Sequence, residues 1–120
     1  MSRTVLIVED NPLMLELYRG CLTPLGLSLA VAQDGEQALH MLGEMRPDLL
    51  LVDINLPHMN GYDLIGAARS RPGLKHVPAV AVTTTTAEAS RLKLAGFNHV
   101  MRKPVAVDAL VAAVRGLLRL

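Results

Sequence analysis

Short apolar runs alternate with longer amphipathic stretches along the whole chain, and this alternation restricts the fold more than any other feature. The runs cover residues 4–8, 27–32, 48–52, 78–82 and 99–101. Each run has the length of a strand, and the stretches between the runs carry apolar residues at helical spacing. Five strands that alternate with five helices predict a parallel α/β sheet with helices on both faces.

Capping and turn signals mark the beginnings of the first and third helices. Asn11 is a suitable N-cap for a helix whose first residue is Pro12, because the missing N–H of proline would be unpaired at that position anyway. Asn60 and Gly61 form a turn signal ahead of YDLIGAARS, which has helical spacing. These signals place helices one and three directly after strands one and three.

The second helix has a signal at each end. Asp34 and Gln37 are three residues apart, which is the arrangement of a capping box. Pro47 disfavours the helical conformation in the residue before it, so we expect the helix to end at Arg46.

The last two helices differ in the strength of their patterns. Residues 83–97 open with four threonines, which could extend a strand, form a loop or cap a helix, and about two helical turns fit before Gly96. The fifth helix has a clear apolar stripe for the core, which comprises Leu110, Val111, Val114, Leu117 and Leu118.

Length and composition indicate one domain that covers residues 1–120. Hydrophobic residues make up 51% of the chain, and Tyr18, Tyr62 and Phe97 are its only aromatics, so the core is expected to be mainly aliphatic. The net charge is +1 and the basic residues are scattered, which argues against a nucleic-acid interface. A single cysteine, Cys21, and the lack of a signal peptide or a long apolar span predict a cytoplasmic protein without a membrane segment.

Polar residues follow four of the five predicted strands. Asp53 comes directly after LLLV, a run typical of a strand buried on both faces, where an ionised carboxylate is unfavourable unless it is compensated. Glu9 and Asp10 follow the first strand, Thr83 the fourth and Lys103 the fifth. In a sheet of order 2-1-3-4-5, the first and third strands are neighbours, so the three carboxylates would converge at the carboxyl edge.

Three close carboxylates repel one another unless a cation lies among them. Oxygen ligands without cysteine favour Mg²⁺ over zinc, and a site of so few carboxylates leaves positions for water and phosphate oxygens. Lys103 can balance the remaining charge, and the Thr83 hydroxyl can donate to a phosphoryl oxygen. The residues thus predict a phosphoryl-transfer site in which an aspartate is a candidate acceptor.

Each of these residues has an ordinary structural explanation when it is considered alone, as a cap, a solvated strand end or a surface charge. Only their joint position at strand ends favours a site. The histidines lack the spacing of metal ligands, and we expect all four to be surface or loop residues: His40, His58, His76 and His99. The chain contains no P-loop, G-x-S-x-G or G-x-G-x-x-G motif.

The chain resembles the receiver domain of two-component response regulators over essentially its whole length. The resemblance is carried by VLIVEDNP, QDGEQAL, PDLLLVDINLPHMNGYDL, VPAVAVT and RKPV. It implies a doubly wound, flavodoxin-like sheet of five parallel strands in the order 2-1-3-4-5. It also implies a phosphoacceptor switch that catalyses only its own phosphorylation and dephosphorylation and is not otherwise an enzyme.

The resemblance assigns a metal site and a phosphoacceptor. Asp53 would accept the phosphoryl group from a phosphohistidine of a sensor histidine kinase or a histidine phosphotransfer protein. Mg²⁺ would be bound by Asp53 and directly by Asp10, largely through water by Glu9, and by the backbone carbonyl of Asn55.

Two further residues would respond to the phosphoryl group. By resemblance, Lys103 would pair with it and Thr83 would shift towards it. Pro104 would follow a cis peptide bond that aims Lys103 into the site.

Two departures from the family pattern concern output. The family usually has an aromatic residue three positions before the lysine, and this chain has Val100 there. The segment from Thr83 to Lys103 is shorter than usual, and Phe97 stands where a small residue is common. We therefore expect phosphorylation to be retained and the conventional route of output to be altered.

Signalling is expected to reach a downstream protein target, or an output domain if the chain is part of a longer regulator or hybrid kinase. Homodimerisation through the fourth and fifth elements is a further mode of association that the sequence allows. Two alternatives remain open: a receiver-like interaction module that is never phosphorylated, and a small aspartate-nucleophile phosphatase of the haloacid dehalogenase type. The phosphatase type has a second aspartate two residues after the nucleophile, where this chain has Asn55.

Overall fold

The computed structural model describes residues 3–56 and 60–120. Its strands form one parallel sheet in the order β2-β1-β3-β4-β5. The strands are β1 Thr4–Val8, β2 Ser28–Ala32, β3 Leu49–Asp53, β4 Ala79–Thr83 and β5 His99–Arg102. The helices are α1 Pro12–Leu22, α2 Gly35–Leu42, α3 Gly61–Arg69, α4 Ala89–Ala95 and α5 Val107–Leu118, and a short 3₁₀ helix, Thr23–Leu25, follows α1. The predicted doubly wound architecture is confirmed.

The sheet separates two apolar layers. Helices α1 and α5 cover one face, and α2, α3 and α4 cover the other. Leu49 and Leu51 pack into the first layer, whereas Leu50 and Val52 pack into the second. Because successive side chains of a strand point to opposite faces, burial on both faces accounts for the uninterrupted apolar run. Within the described ranges, no helix has the length and apolar character needed to cross a bilayer.

The predicted helix caps are present. Asn11 Oδ1 accepts the backbone N–H groups of Leu13, at 2.9 Å, and of Met14 at the start of α1. Asp34 Oδ1 accepts the Gln37 N–H at 2.7 Å. The Gln37 side chain accepts the N–H of residue 33, one position before the cap, so the capping box closes one residue earlier than in its usual form.

The predicted end of the second helix was wrong, because α2 ends at Leu42 and not at Arg46. Gly43 is the C-cap, and its N–H donates to the His40 carbonyl at 3.1 Å. Glycine is a poor helix former, so the helix stops there before the conformational restriction of Pro47 applies.

Helix α4 has unequal ends. It contains seven residues, and its N-cap, Glu88, makes no side-chain capping bond to the first turn. Residues 84–87, which lead into it from β4, are exposed. The prediction of about two turns before Gly96 is confirmed, and the threonine run divides between the end of β4 and the following loop.

The carboxyl end of α4 is held by Arg69 at the end of α3. One guanidinium nitrogen of Arg69 donates to the carbonyls of Leu74, at 2.9 Å, and Val77. Another donates to the Gly96 carbonyl at 2.8 Å and to Asn98 Oδ1 at 3.2 Å. Arg69 therefore joins the α3–β4 loop to the turn between α4 and β5.

We expect Asp34→Ala to lower the free energy of unfolding by about 1 kcal/mol, because the Gln37 N–H loses its acceptor at the start of α2. Urea unfolding followed by circular dichroism measures this loss. Asp34→Asn is the matched control, since asparagine caps about as well as aspartate. Equal destabilisation by the two variants would contradict the capping role.

Candidate functional site

The carboxyl edge of the sheet brings together residues that are distant in sequence. Asp53 and Thr83 are the last residues of β3 and β4, and not the first residues after them as the sequence pattern indicated. Glu9 follows β1, and its N–H donates to the Ala32 carbonyl at 2.9 Å. Because β1 pairs with β3, Glu9 and Asp53 leave neighbouring strands at the same edge.

Asp53 forms an ion pair with Lys103. Asp53 Oδ2 and Lys103 Nζ are 2.8 Å apart, and Asp53 Oδ1 accepts the Asn55 N–H at 2.8 Å. The Asp53 side chain is 6% exposed and that of Lys103 is 25% exposed, so the ammonium compensates a nearly buried charge. The Lys103–Pro104 peptide bond is cis, as the resemblance implied.

Glu9 is buried beside this ion pair. Its Oε2 accepts the N–H groups of Asp10, at 3.1 Å, and Asn11, at 3.3 Å. Its Oε1 is buried without a hydrogen-bond partner in the described part of the chain. Burial, followed by the negative charge of Asp53, raises the pKa of Glu9 from 4.5 to about 7. Glu9 and Asp53 thus interact closely, and one ammonium group faces two acidic groups.

Asp10 and Asn55 are exposed, unlike the buried Glu9 and Asp53. Asp10 is exposed, so its charge remains in water. Within residues 3–56 and 60–120, no three histidine, cysteine, aspartate or glutamate side chains are grouped to hold a metal ion. Asn55 Oδ1 accepts the Thr84 N–H at 3.1 Å and so ties the loop after β3 to the loop after β4.

Thr83 lies at the end of β4 with its side chain almost fully buried. Its hydroxyl oxygen accepts the Thr85 N–H at 3.3 Å, and its carbonyl accepts the Lys103 N–H at 2.8 Å. Among the residues that the structure describes, none accepts the hydroxyl proton, which is therefore available for donation to another group. Thr83 is therefore connected to the strand that supplies Lys103.

Val100 and Phe97 occupy positions where the chain departs from the family pattern. Val100 is half-buried and packs against the layer beneath α2, α3 and α4. Phe97 is buried in the same layer, and its N–H donates to the Leu92 carbonyl at 3.1 Å. Both residues contribute to packing, so Phe97 supplies core volume behind the short helix α4.

Tyr18 of α1 lies near the site, although its sequence pattern does not indicate that position. It is buried on the α1 and α5 face, and its hydroxyl has no partner among the described residues. Burial and the nearby charges of Glu9 and Asp53 raise its pKa. The helical spacing of Tyr18 with Leu15 and Leu22 was the available signal, but that spacing indicates only burial.

The histidines lie apart from this site where they are described. His40, His76 and His99 are exposed. His40 is 3.4 Å from Glu44 one helical turn later, in a solvent-exposed pair. The expectation for His58 lies outside the described residues.

The donors at the carboxyl edge suit a cation that prefers oxygen ligands. Glu9 Oε1 is buried without a partner in the described residues, and Lys103 supplies a single positive charge for Glu9 and Asp53. A divalent cation would supply the missing charge and a ligand for the unpaired oxygen. Oxygen donors without cysteine are those that Mg²⁺ prefers.

Comparison with known proteins gives consistent similarities. A family model described as the response regulator receiver domain matches residues 5–115 of this chain. The polar-differentiation response regulator DivK of Brucella anthropi is 31% identical over 120 residues, and the match covers 98% of each chain.

Solved structures with the same architecture agree. The receiver domain of the sensor histidine kinase PA1611 from Pseudomonas aeruginosa is 27% identical, with a TM-score of 0.89 and full coverage of both chains. That structure has a magnesium ion coordinated in its active-site cleft. The chemotaxis response regulator CheY4 of Vibrio cholerae is 26% identical, with a TM-score of 0.90, over 98% of this chain and 100% of that one.

Proposed function

Since this chain belongs to the response regulator receiver domain family, we propose that Asp53 is the residue on which it accepts a phosphoryl group. The domain acts in phosphoacceptor signalling of the two-component type. The observation that supports Asp53 most directly is its nearly buried carboxylate in contact with Lys103 at the carboxyl edge of the sheet. This is the edge at which ligands bind in doubly wound sheets.

The reaction transfers a phosphoryl group from a phosphohistidine to Asp53. A carboxylate oxygen of Asp53 forms the new bond to phosphorus, while the bond between phosphorus and the imidazole nitrogen breaks. The imidazole leaves with the electron pair, and the product on the protein is an acyl phosphate. The Asn55 N–H and the Lys103 ammonium orient the carboxylate before the reaction, because each donates to a different oxygen.

We propose Mg²⁺ as the cofactor, held by Glu9, Asp10, Asp53 and the backbone carbonyl of Asn55. When bound, it neutralises negative charge on the carboxylates and on the transferred phosphoryl oxygens. Binding would bring the exposed Asp10 side chain towards the buried Glu9 and Asp53, because the described carboxylates are not grouped around a metal position beforehand.

The phosphorylated state changes the loop after β4. Lys103 pairs with the phosphoryl group, and Thr83 donates its hydroxyl proton to a phosphoryl oxygen. Thr83 also accepts the Thr85 N–H, so its movement displaces the exposed residues that precede α4. Val100 is half-buried and has no large ring whose burial could change. The change therefore depends on packing and on the position of the loop.

The partners in this proposal are a sensor histidine kinase or a phosphotransfer protein as donor, and a protein target or output domain as receiver of the signal. The domain catalyses only its own phosphorylation and dephosphorylation. The proposal includes a cytoplasmic location, which the single cysteine, Cys21, favours.

Acetyl phosphate tests the proposal without knowledge of the kinase. We expect incubation with acetyl phosphate and Mg²⁺ to add the mass of one phosphoryl group, and addition of EDTA beforehand to prevent it. Intact-protein mass spectrometry measures the addition, and peptide mapping after borohydride reduction locates it on Asp53.

Two other outcomes would replace this proposal. No mass increase and no amide shift with beryllofluoride and Mg²⁺ would identify an interaction module that works without phosphorylation. Sustained turnover of a small phosphoester, at many product molecules per protein, would identify a phosphatase.

A further inference from the structure

The amino edge of the sheet, opposite Asp53, has a surface cavity that phosphorylation does not explain. The cavity has a volume of about 290 Å³ and lies between the end of α2 and the loop after α3. Its floor includes the buried side chains of Leu42 and Leu74. Arg46 and Arg71 line it and supply its positive charge.

Both arginines lie near a glycine, but only Arg46 fills the space of the missing side chain. A Cβ atom added to Gly73 would lie 2.4 Å from Arg46 Nη2, so the guanidinium occupies the space that a side chain would fill. Gly73 also has φ of +87°, a conformation that glycine adopts without strain. A Cβ atom added to Gly43 would lie 3.7 Å from Arg71 Nη1. Gly73 therefore allows the Arg46 guanidinium to lie close to the backbone, whereas the distance at Gly43 is an ordinary van der Waals contact.

The side chains of Arg46 and Arg71 form no hydrogen bond or ion pair with a described residue, although the Arg71 backbone N–H donates to the Ala68 carbonyl at 3.1 Å. By contrast, the Arg69 guanidinium, two residues before Arg71, donates to three carbonyls and an amide oxygen. The acidic residue that lines the same cavity, Glu44, faces His40 at 3.4 Å. The cavity thus presents two planar donor groups whose acceptor is not supplied by the described protein.

We propose that Arg46 and Arg71 form a binding site for a phosphate group, separate from the phosphorylation site. A guanidinium presents paired N–H donors that match two oxygens of an oxyanion. Two such groups on one cavity need more acceptor oxygens than a single carboxylate has, and a phosphate group has enough. A second depression next to the cavity shares Arg46 and is also lined by Lys75 and Asp48, whose opposite charges offset each other, so the two arginines supply the positive charge of the site.

The test is a titration of the Mg²⁺-free full chain with inorganic phosphate at constant ionic strength, followed by amide NMR shifts. We expect saturable shifts at residues 42–46, 71, 73 and 74, with a dissociation constant on the order of 1 mM or tighter. Arg46→Ala and Arg71→Ala should each weaken binding by about tenfold or more. A parallel titration with glycerol phosphate shows whether the site prefers a phosphate ester or the free ion, because the preferred form binds more tightly.

Lys75→Ala is the matched control, because it removes a nearby charge that does not line the cavity, and it should weaken binding less than either arginine variant. Arg46→Lys keeps the charge but loses the paired donors and the guanidinium contact with Gly73, so it should also weaken binding. Amide shifts elsewhere verify that each variant is folded. The proposal fails if the shifts do not saturate, if the arginine variants bind as the wild type does, or if acetate binds equally well.

Discussion

Asp53→Ala is expected to abolish the Mg²⁺-dependent mass increase that acetyl phosphate produces on the wild-type protein. The variant lacks the carboxylate oxygen that forms the bond to phosphorus, so the loss should be complete and not partial. Lys103 loses its partner, but its side chain is 25% exposed and its ammonium group can be solvated by water. The variant should therefore remain folded, which circular dichroism and amide NMR verify.

Asp63→Ala is a suitable control for this experiment. Asp63 is exposed in the first turn of α3 and makes no ion pair with a described residue, so its removal should leave the mass increase unchanged. A mass increase that persists in Asp53→Ala, on any other residue, would show that Asp53 is not the phosphoacceptor.

The second large effect concerns Glu9 and pH. In Mg²⁺-free buffer, we expect the free energy of unfolding to fall as pH rises from 4.5 to about 7, because the pKa of Glu9 is raised across this interval in the folded protein. Below this interval, Glu9 is protonated in both states and its contribution is fully present. Within it, the unfolded chain loses the proton and the folded protein keeps it, so stability declines. Above about pH 7 the contribution is lost.

The size of this effect follows from the shift in pKa. A difference between 4.5 and about 7 corresponds to roughly 3 kcal/mol, or roughly 10 °C in the unfolding temperature of a domain of this size. Thermal unfolding at several pH values measures it. Glu9→Gln stays neutral, so this part of the pH dependence should disappear in the variant.

Mg²⁺ provides a second measurement on the same residue. At pH values above the pKa of Glu9, Mg²⁺ should raise the unfolding temperature of the wild type more than that of Glu9→Gln, because only the wild type has the second buried negative charge. An identical pH dependence of the unfolding temperature in the two proteins would show that ionisation of Glu9 does not destabilise the folded protein.

The strand positions could be predicted from the sequence because the three central strands, β1, β3 and β4, are buried on both faces. Leu49 to Val52 form an apolar run too short for a helix, and its burial in two layers explains why no polar residue interrupts it. The end of α2 was predicted incorrectly because Pro47 was weighed and Gly43 was not. Gly43 precedes Pro47 in the chain, so the helix ends at the glycine before it reaches the proline.

Contacts between distant side chains could not be predicted from local patterns. The position of Arg46 over Gly73 depends on how two loops approach each other after the sheet has formed. The unpaired oxygen of Glu9 likewise depends on the depth at which β1 ends relative to β3. Sequence patterns predicted that polar residues meet at the carboxyl edge, but not which of them are buried there.

The unequal ends of α4 determine where this helix opens first. Its carboxyl end is fixed through Arg69 to the Gly96 carbonyl, whereas its amino end lacks a side-chain cap and follows an exposed loop. Amide hydrogen exchange should therefore be faster in residues 84–90 than around residues 96–98, since fraying costs least where the chain is exposed to solvent. Residues 84–88 connect the amino end of the helix to Thr83, so local unfolding there would change the accessible surface next to Asp53 without separating α4 from α3.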